Sequence, residues 1–519
     1  MDLDFLAGQM IMMGFKGYEL DSEFMDVLKR VKPCGLVLFQ RNIRGLTHVR
    51  RLISEIQDYA SKIGLPNLLI ALDHEGGVVF RSERFTPLPS AMALGASGDP
   101  SLVECVARIA GEELKVLGFN VNFAPVADLN TNPMNPVIGL RSFGDDPESV
   151  SVMVSKYVST LQSIGVMATA KHFPGHGDTY VDSHLDLPIV DVDINLLMAR
   201  ELKPFKAAVD ADVALIMTSH VSFPKIDETG LPATLSKKIL RDILRGVLGF
   251  NGLIISDALE MKAISGRFDV GEIVFHGLNA GLNIFLRCDD FDAVLELKDA
   301  IIKCVKSGRV DSSILYDSYI KIEAVRGRIK SALTLHPPAK FSPTLFRRNR
   351  AASRDISINT ITLINGEAFK PIKDLNSIVI LIPKSLERFL SRFDYDVVGM
   401  IVGEFGSYVE NIVLYFYDES SPIEDIVESS RSVDGVIFFT YNAIFNKFQM
   451  DLYRIVRDMV SVIVVAGLPY DVELIEDSKP IFLTYGLNPL SLSALVDVLC
   501  GFEKARGKVP VKFKQHFSG

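Results

Sequence analysis

Residues 171–184 read Lys-His-Phe-Pro-Gly-His-Gly-Asp-Thr-Tyr-Val-Asp-Ser-His, and this stretch decides how the rest of the chain is interpreted. It holds three of the nine histidines and directly follows the apolar run of residues 166–170. An apolar run that ends in a polar loop punctuated by proline and glycine is typical of a buried strand with a functional loop at its carboxyl end. We therefore expect the chemistry of this protein to lie at a strand end.

The same pattern of a short apolar run followed by a polar or glycine-bearing loop recurs through the first 335 residues. Such runs cover residues 34–39, 68–72, 121–124, 215–217, 253–255 and 282–286, and residues 185–187 count as a weak further strand. With residues 166–170 this makes about eight strands that alternate with helical patterns, which predicts a (β/α)8 barrel of the TIM type. The polar residues after the strands are then expected to converge on one face, where such barrels build their active sites.

A stretch rich in proline and arginine precedes a second series of apolar runs. Residues 336–355 contain three prolines and a basic run, so we interpret them as a linker. About five further strands with intervening helices indicate a smaller, doubly wound α/β domain. The predicted fold class is therefore α/β, with a catalytic (β/α)8 barrel over residues 1–335, the linker over 336–355 and a C-terminal α/β sandwich domain over 356–519.

Composition argues against several classes of protein. The 55 basic and 64 acidic residues give a net charge of -9, so we expect no nucleic-acid partner. No apolar stretch of about 18 residues is free of charge, so no membrane span is expected. The segment Met1–Leu6 carries two acids where a secretory signal has basic residues, which favours a cytoplasmic protein. We expect no cofactor, and the scattered cysteines are interpreted as buried free thiols: Cys34, Cys105, Cys288, Cys304 and Cys500.

Asp257 is the first candidate for chemistry, because it follows the apolar run 253–255 almost directly. A carboxylate at the carboxyl end of a barrel strand can serve as a nucleophile or a base. The alternative is that Asp257 caps the following helix, a position that aspartate favours.

Asp182 and His184 form the second candidate. A carboxylate two residues from an imidazole can accept its ring proton and fix its tautomer, so that the histidine acts as a general acid or base. The alternatives are loop structure or a metal site with His172 and His176. The Pro-Gly pair at 174–175 argues against zinc, because it breaks the helical face that an H-x-x-x-H site needs.

A third group of polar side chains also follows predicted strands. Aspartate can accept hydrogen bonds from sugar hydroxyls, and arginine, lysine and histidine can donate to hydroxyl or carbonyl oxygens. Individually each of them could equally be a surface or ion-paired residue. The members of this group are Asp73, Arg81, Arg141, Lys171 and His172.

Together these segments resemble glycoside hydrolase family 3, and within it the bacterial β-N-acetylglucosaminidase branch. The resemblance covers about residues 5–290 and is carried by the motifs at 35–42, 73–77, 122–128, 141–144, 171–184, 232–236 and 256–261. The chain departs from the family pattern at His74, Val78 and Phe80, where Gln, Arg and Gln are usual. These changes leave the preference for the leaving group open.

The resemblance implies a retaining mechanism through a covalent glycosyl-enzyme. It implies that Asp257 is the nucleophile and that His184 with Asp182 is an acid/base pair on a mobile loop. We interpret His176, which lies between the two parts of this loop, as structural. The resemblance also implies a set of residues that hold the terminal N-acetylglucosamine, namely Asp73, Arg81, Arg141, Lys171 and His172, with Asp128 and Met217 lining the same subsite.

The function predicted in this way is release of terminal N-acetylglucosamine from muropeptide-derived sugars or chitooligosaccharides, as in cell-wall recycling. The partner is then a small carbohydrate. Three alternatives stay open: a phosphorylase of the same substrates, a β-glucosidase or xylosidase of the same family, and a sugar-binding protein without activity. The role of the C-terminal domain and the oligomeric state are also open, a homodimer being one option.

Overall fold

A computed structural model describes residues 2–288, 290–476 and 478–513. Its first unit is a sheet of eight parallel strands in the order β7-β6-β5-β4-β3-β2-β1-β8, and a bridge between Ile255 and Ile284 brings the two edges together. The predicted (β/α)8 barrel is therefore confirmed. Its strands are β1 (Ile11–Met13), β2 (Gly35–Leu38), β3 (Leu69–Leu72), β4 (Val121–Asn122), β5 (Met167–Phe173), β6 (Leu215–Thr218), β7 (Leu253–Ile255) and β8 (Phe285–Arg287).

Two details of the strand prediction are wrong. The short strand β1 was not anticipated, because its three residues directly follow an apolar helix and show no pattern of their own. Residues 185–187 lie at the end of a turn and in the loop after it instead of in a strand, and Leu185 is 67% exposed. A strand inside a parallel barrel is buried on both faces, so an exposed leucine does not belong to one.

Helices surround the barrel, and their ends follow ordinary capping chemistry. The helix Pro147–Ile164 begins after Asp146, whose side chain accepts a hydrogen bond from the Ser149 N–H, and ends at Gly165 in the left-handed region. The helices of this unit are α1 (Leu3–Gln9), α2 (Ser22–Val31), α3 (Leu46–Lys62), α4 (Ala91–Ser97), α5 (Pro100–Leu117), α6 (Pro147–Ile164), α7 (Ile194–Ala199), α8 (Leu202–Asp210), α9 (Lys262–Ser265), α10 (Val270–Ala280), α11 (Phe291–Lys306) and α12 (Ser313–Leu335), with a further helix over Lys238–Val247.

The second unit is a six-stranded sheet with helices on it, which confirms the predicted second α/β fold. The strand order is β11-β10-β12-β13-β14-β9, and only β9 runs antiparallel to its neighbour. The strands are β9 (Thr362–Ile364), β10 (Ser377–Pro383), β11 (Asn411–Tyr417), β12 (Gly435–Thr440), β13 (Val460–Val465) and β14 (Ile481–Leu483), and the helices are α14 (Lys384–Ser391), α15 (Val397–Phe405), α16 (Ile423–Arg431), α17 (Phe448–Val456) and α18 (Pro489–Leu499).

The stretch interpreted as a linker is largely helical. Helix α13 (Pro343–Thr360) begins inside it and packs against α18 of the second unit and α4 and α5 of the first. Pro343 occupies the first turn, where its missing N–H costs nothing, and the Ser342 side chain caps the helix. The proline that suggested a loop is thus a helix start, while the domain limits themselves stay a prediction.

Two further expectations concern the thiols and the membrane. Cys105 is exposed, contrary to the prediction of five buried thiols, and the other four cysteines are buried. Within the part of the chain that the structure describes, no helix is both long enough and apolar enough to cross a membrane.

Candidate active site

A cavity of about 250 Å³ lies at the carboxyl ends of the barrel strands. The residues at its wall come from the loops after most of the strands, as the fold predicts. Of the ten residues predicted for the site, all but Asp128 and Asp182 line this cavity: Asp73, Arg81, Arg141, Lys171, His172, His184, Met217 and Asp257.

Two carboxylates and three cations form one ion-paired cluster in the cavity wall. Asp73 accepts hydrogen bonds from Arg81 Nη2 (2.5 Å) and Lys171 Nζ (2.9 Å). Glu75 accepts two hydrogen bonds from Arg141, both 2.9 Å long, and its Oε1 lies 2.6 Å from Lys171 Nζ. Burial opposes ionisation, but the cations outweigh it and hold the pKa of both carboxyls below their usual range. Both are therefore charged acceptors at neutral pH.

Glu75 was not singled out from the sequence. It lies in the Asp-His-Glu-Gly-Gly motif at residues 73–77, two positions after Asp73 on the same loop. Its side chain is 6% exposed, and a carboxylate so buried needs compensating cations. The second acidic residue in this motif was the feature of the sequence that could have identified Glu75 as a site residue.

Asp128 lies behind the cavity wall and does not line the subsite, contrary to the expectation. Its Oδ2 accepts a hydrogen bond from the His172 N–H (3.1 Å) and lies 2.8 Å from His172 Nδ1. Its Oδ1 accepts one from the His176 N–H (2.7 Å). Because Asp128 holds Nδ1 of His172, the other ring nitrogen, Nε2, is left toward Arg141, whose Nη2 is 3.4 Å away. Asp128 thus orients a residue of the wall.

His176 also has a structural environment. It is buried, with Nδ1 3.0 Å from Thr179 Oγ1 and Nε2 3.1 Å from Ser183 Oγ. Burial and the neighbouring His172 lower the pKa of His176 to about 4, so the ring is neutral at pH 7. Its two hydrogen bonds span the loop that leads to His184.

Asp257 lines the cavity just beyond β7, and its Oδ1 accepts a hydrogen bond from the Ala258 N–H (2.7 Å). It does not cap a helix, because α9 begins only at Lys262. Burial would raise the pKa of Asp257, but His172, His220 and the Ala258 N–H outweigh this effect and lower it. The carboxylate is therefore ionised, as a nucleophile must be.

His220 supports the turn that carries Asp257 and was also missed. Its ring is fully buried, with Nε2 3.0 Å from the Ala258 carbonyl oxygen and Nδ1 2.8 Å from Thr234 Oγ1. Because a carbonyl oxygen only accepts hydrogen bonds, the His220 ring carries a proton on Nε2. The signals in the sequence were the Thr-Ser-His segment after β6 and the motif at 232–236.

His184 and Asp182 form a pair on an exposed loop. His184 Nδ1 lies 2.7 Å from Asp182 Oδ1, which also accepts a hydrogen bond from the His184 N–H (2.8 Å). The His184 side chain is 65% exposed although it reaches the cavity wall, and Asp182 stands behind it. The pair has the geometry in which a carboxylate fixes the tautomer of an imidazole.

The site is thus a polar cavity at the top of a (β/α)8 barrel, with charged groups around it and an ionised carboxylate, Asp257, in its wall. The sequence model described as the glycosyl hydrolase family 3 N terminal domain matches residues 3–325. The chain belongs to this family.

Curated relatives are similar over much of the chain. The β-hexosaminidase A of Pseudoalteromonas piscicida is 31% identical over 425 residues, which is 73% of this chain and 69% of that protein. A β-hexosaminidase of Stenotrophomonas maltophilia (strain K279a) is 35% identical over 313 residues, which is 59% of this chain and 90% of the relative.

Solved structures agree with the two-unit architecture. A family 3 β-N-acetylglucosaminidase from Paenibacillus sp. str. FPU-7 superposes with a TM-score of 0.90 at 33% identity and covers 99% of each chain. A β-glucoside phosphorylase superposes with a TM-score of 0.80 at 20% identity, covering 99% of this chain and 94% of its own, which is a likeness of fold alone.

Proposed function

We propose that this protein is a retaining exo-β-N-acetylglucosaminidase. The observation that carries the proposal is that an ionised carboxylate, Asp257, and a histidine held by a carboxylate, His184 with Asp182, line or serve the same cavity. Most retaining glycosidases use two carboxylates for these tasks. The names of the similar β-hexosaminidases and of the Paenibacillus enzyme support N-acetylglucosamine as the sugar.

In the proposed first step Asp257 attacks the anomeric carbon while His184 protonates the leaving oxygen. Because Nδ1 of His184 faces Asp182, Nε2 is the nitrogen that exchanges a proton with the substrate. In the second step the neutral imidazole accepts a proton from water, and the resulting hydroxide displaces Asp257 from the sugar. A histidine that has given up its proton adds no negative charge beside the carboxylate nucleophile.

The cavity wall supplies the groups that hold the sugar. The ionised carboxylates of Asp73 and Glu75 can accept hydrogen bonds from hydroxyls, and Arg141 and Lys171 can donate to oxygen atoms. A volume of about 250 Å³ lies just below the usual range of ligand pockets, which suits one terminal sugar ring and supports exo action.

We further propose that the substrates are muropeptide-derived sugars or chitooligosaccharides and that the enzyme acts in the cytoplasm in cell-wall recycling. The resemblance in sequence supports this assignment, and the net charge of -9 argues against a nucleic-acid partner. Product analysis on a muropeptide disaccharide and on chitobiose decides between the two substrates.

The test of the proposed function compares rates on p-nitrophenyl N-acetyl-β-glucosaminide, β-glucoside and β-xyloside. We expect the N-acetylglucosaminide to be cleaved fastest. A faster rate on the glucoside or xyloside would contradict the assignment of the sugar, and no turnover of any of the three would leave a sugar-binding protein as the better account.

Phosphorolysis is the second candidate reaction. It is favoured by His184 in the place of a carboxylate acid, because a neutral imidazole repels a phosphate nucleophile less than a carboxylate does. Adding inorganic phosphate and assaying for N-acetylglucosamine 1-phosphate separates the two reactions. A hydrolase releases free sugar at the same rate with and without phosphate.

A further inference from the structure

The loop between β3 and α4, residues 73–90, carries Arg81 and is held by the second unit. The Phe80 ring, which is 6% exposed, stacks on Phe393 with centroids 4.1 Å apart and planes 21° apart, and the Tyr395 ring lies 6.3 Å away. Phe393 and Tyr395 follow α14 in the second unit. The side chain directly before Arg81 is thus anchored outside the barrel.

Hydrogen bonds fasten the rest of this loop to α13 and to the second unit. Arg350 on α13 donates to the carbonyl oxygen of Glu83 (2.9 Å). Asn488, which caps α18, donates to the carbonyl oxygen of Leu88 (3.2 Å). Contacts from beyond the barrel therefore occur along the length of the loop.

Arg81 has few restraints of its own. Its Nη2 donates to Asp73, and its guanidinium lies 5.3 Å from the centroid of the Phe39 ring. Its Nε finds no hydrogen-bond partner among the residues that the structure describes. Because so little else holds the guanidinium, its position depends on where the loop backbone is held.

The loop that carries Arg141 packs against the same unit. Leu140 belongs to one apolar cluster with Leu381 of the second sheet. A Cβ atom at Gly139 would lie 3.0 Å from Leu468 Cδ2, so the second unit packs directly on the backbone of this loop. Both arginines of the cavity wall are therefore on loops that the second unit contacts.

We infer that the second α/β unit takes part in substrate binding by positioning the two arginines of the cavity wall. The Phe80–Phe393 stack positions Arg81, and the packing on the Arg141 loop positions Arg141. The second unit thereby affects the affinity for the terminal sugar. Phe393 is a positioning residue, since it acts through Arg81. The inference rests on the proposed function, because it concerns the same cavity.

The test measures Phe393→Leu in the full chain, both alone and combined with Arg81→Ala. Leucine keeps an apolar side chain at this buried position but removes the ring stack. Phe80→Leu removes the same stack from the barrel side and serves as the second variant. Phe502→Leu is the matched control, because Phe502 is 54% exposed and pairs with Tyr408 elsewhere on the unit. The readouts are KM and kcat on p-nitrophenyl N-acetyl-β-glucosaminide, and the Kd of N-acetylglucosamine by calorimetry.

We expect Phe393→Leu and Phe80→Leu to raise KM and Kd about threefold to tenfold with kcat nearly unchanged, the effect of losing one aromatic pair that supports binding. With Arg81→Ala already present the same change should have no further effect, because the two residues act in series. Phe502→Leu should change neither constant.

Unchanged KM and Kd in both stack variants, or equal increases with and without Arg81, would overturn the inference. A wild-type protein that binds N-acetylglucosamine more tightly than Phe393→Leu but turns over no substrate would support the inference and contradict only the proposed function. The two ideas can therefore fail separately.

Discussion

Replacing Glu75 with glutamine tests the ion-paired cluster in the cavity wall. The Glu75 side chain is 6% exposed and accepts two hydrogen bonds from Arg141, with Lys171 Nζ at 2.6 Å. Glutamine keeps the shape of the side chain but removes its charge and one acceptor oxygen. The variant therefore leaves Arg141 and Lys171 with less compensation at a site that excludes most water.

The magnitude follows from the pKa of the carboxyl group. Burial opposes ionisation, but Arg141 and Lys171 outweigh it and lower the pKa of Glu75 from 4.5 to about 2. A lowering of about 2.5 pH units corresponds to about 3 kcal/mol of stability. Since the pKa is lower in the folded than in the unfolded state, this contribution is complete above about pH 4.5 and is lost as the pH falls toward about 2.

The assay is urea unfolding followed by circular dichroism, because the sequence contains no tryptophan to report by fluorescence. We expect Glu75→Gln to lower the free energy of unfolding by about 3 kcal/mol at pH 7 and by roughly half of that at pH 3. Glu104→Gln is the control, because Glu104 pairs with Arg108 and Lys156 on the exposed surface, where ion pairs contribute little. No loss in Glu75→Gln at pH 7, or an equal loss at both pH values, would show that the charge of Glu75 does not stabilise the fold.

Three further changes test other parts of the molecule. Asp128→Asn should lower kcat/KM about tenfold to a hundredfold, because His172 loses a charged hydrogen-bond partner, and steady-state kinetics equal to wild type would contradict this. His220→Leu should lower kcat with KM nearly unchanged, because leucine cannot donate a hydrogen bond to the Ala258 carbonyl in the turn after β7, whereas a change in KM alone would count against that role. Burial raises the pKa of Asp471 from 3.8 to about 6, so this carboxyl destabilises the fold increasingly as the pH rises through that range. The free energy of unfolding of Asp471→Asn should therefore increase relative to wild type by up to about 3 kcal/mol between pH 4 and pH 7, and a difference in urea unfolding that does not grow with pH would exclude this.

The barrel could be predicted because its strands are buried and end in polar loops, which leaves a readable alternation in the sequence. Strand β5 shows this best, since all seven of its residues are buried. Strand β1 was not predicted, because its three residues adjoin an apolar helix and show no strand pattern of their own. The strand at residues 185–187 was predicted wrongly because the sequence does not show whether a single apolar residue such as Leu185 is buried.

The site could be predicted as a set of residues but not as a set of contacts. Asp73 and Asp257 follow strands β3 and β7, and Lys171 lies near the carboxyl end of β5. The fold brings strand ends together, so the convergence of these residues was foreseeable. Which of these residues pair with one another could not be predicted, because pairing depends on distances across the barrel. Glu75 and His220 were missed for this reason. Asp128 was expected to line the cavity, whereas it lies behind the cavity wall.

The contact between the two units is the feature that a single sequence predicts least. Phe80 and Phe393 are far apart in the chain, and neither stands in a pattern that predicts the other. The stack joins the loop after β3 to the residues that follow α14, and α13 packs against both units. Only the folded structure reveals this contact.

Asp257 is the residue proposed to form the covalent bond to the sugar. The direct test is Asp257→Ala incubated with p-nitrophenyl N-acetyl-β-glucosaminide in the presence of azide, with the product identified by NMR. If Asp257 is the nucleophile of a retaining enzyme, the variant is inactive in water alone, and azide enters the vacated position to give the α-glycosyl azide. Wild-type rates without azide, or a β-glycosyl azide as the product, would contradict the account.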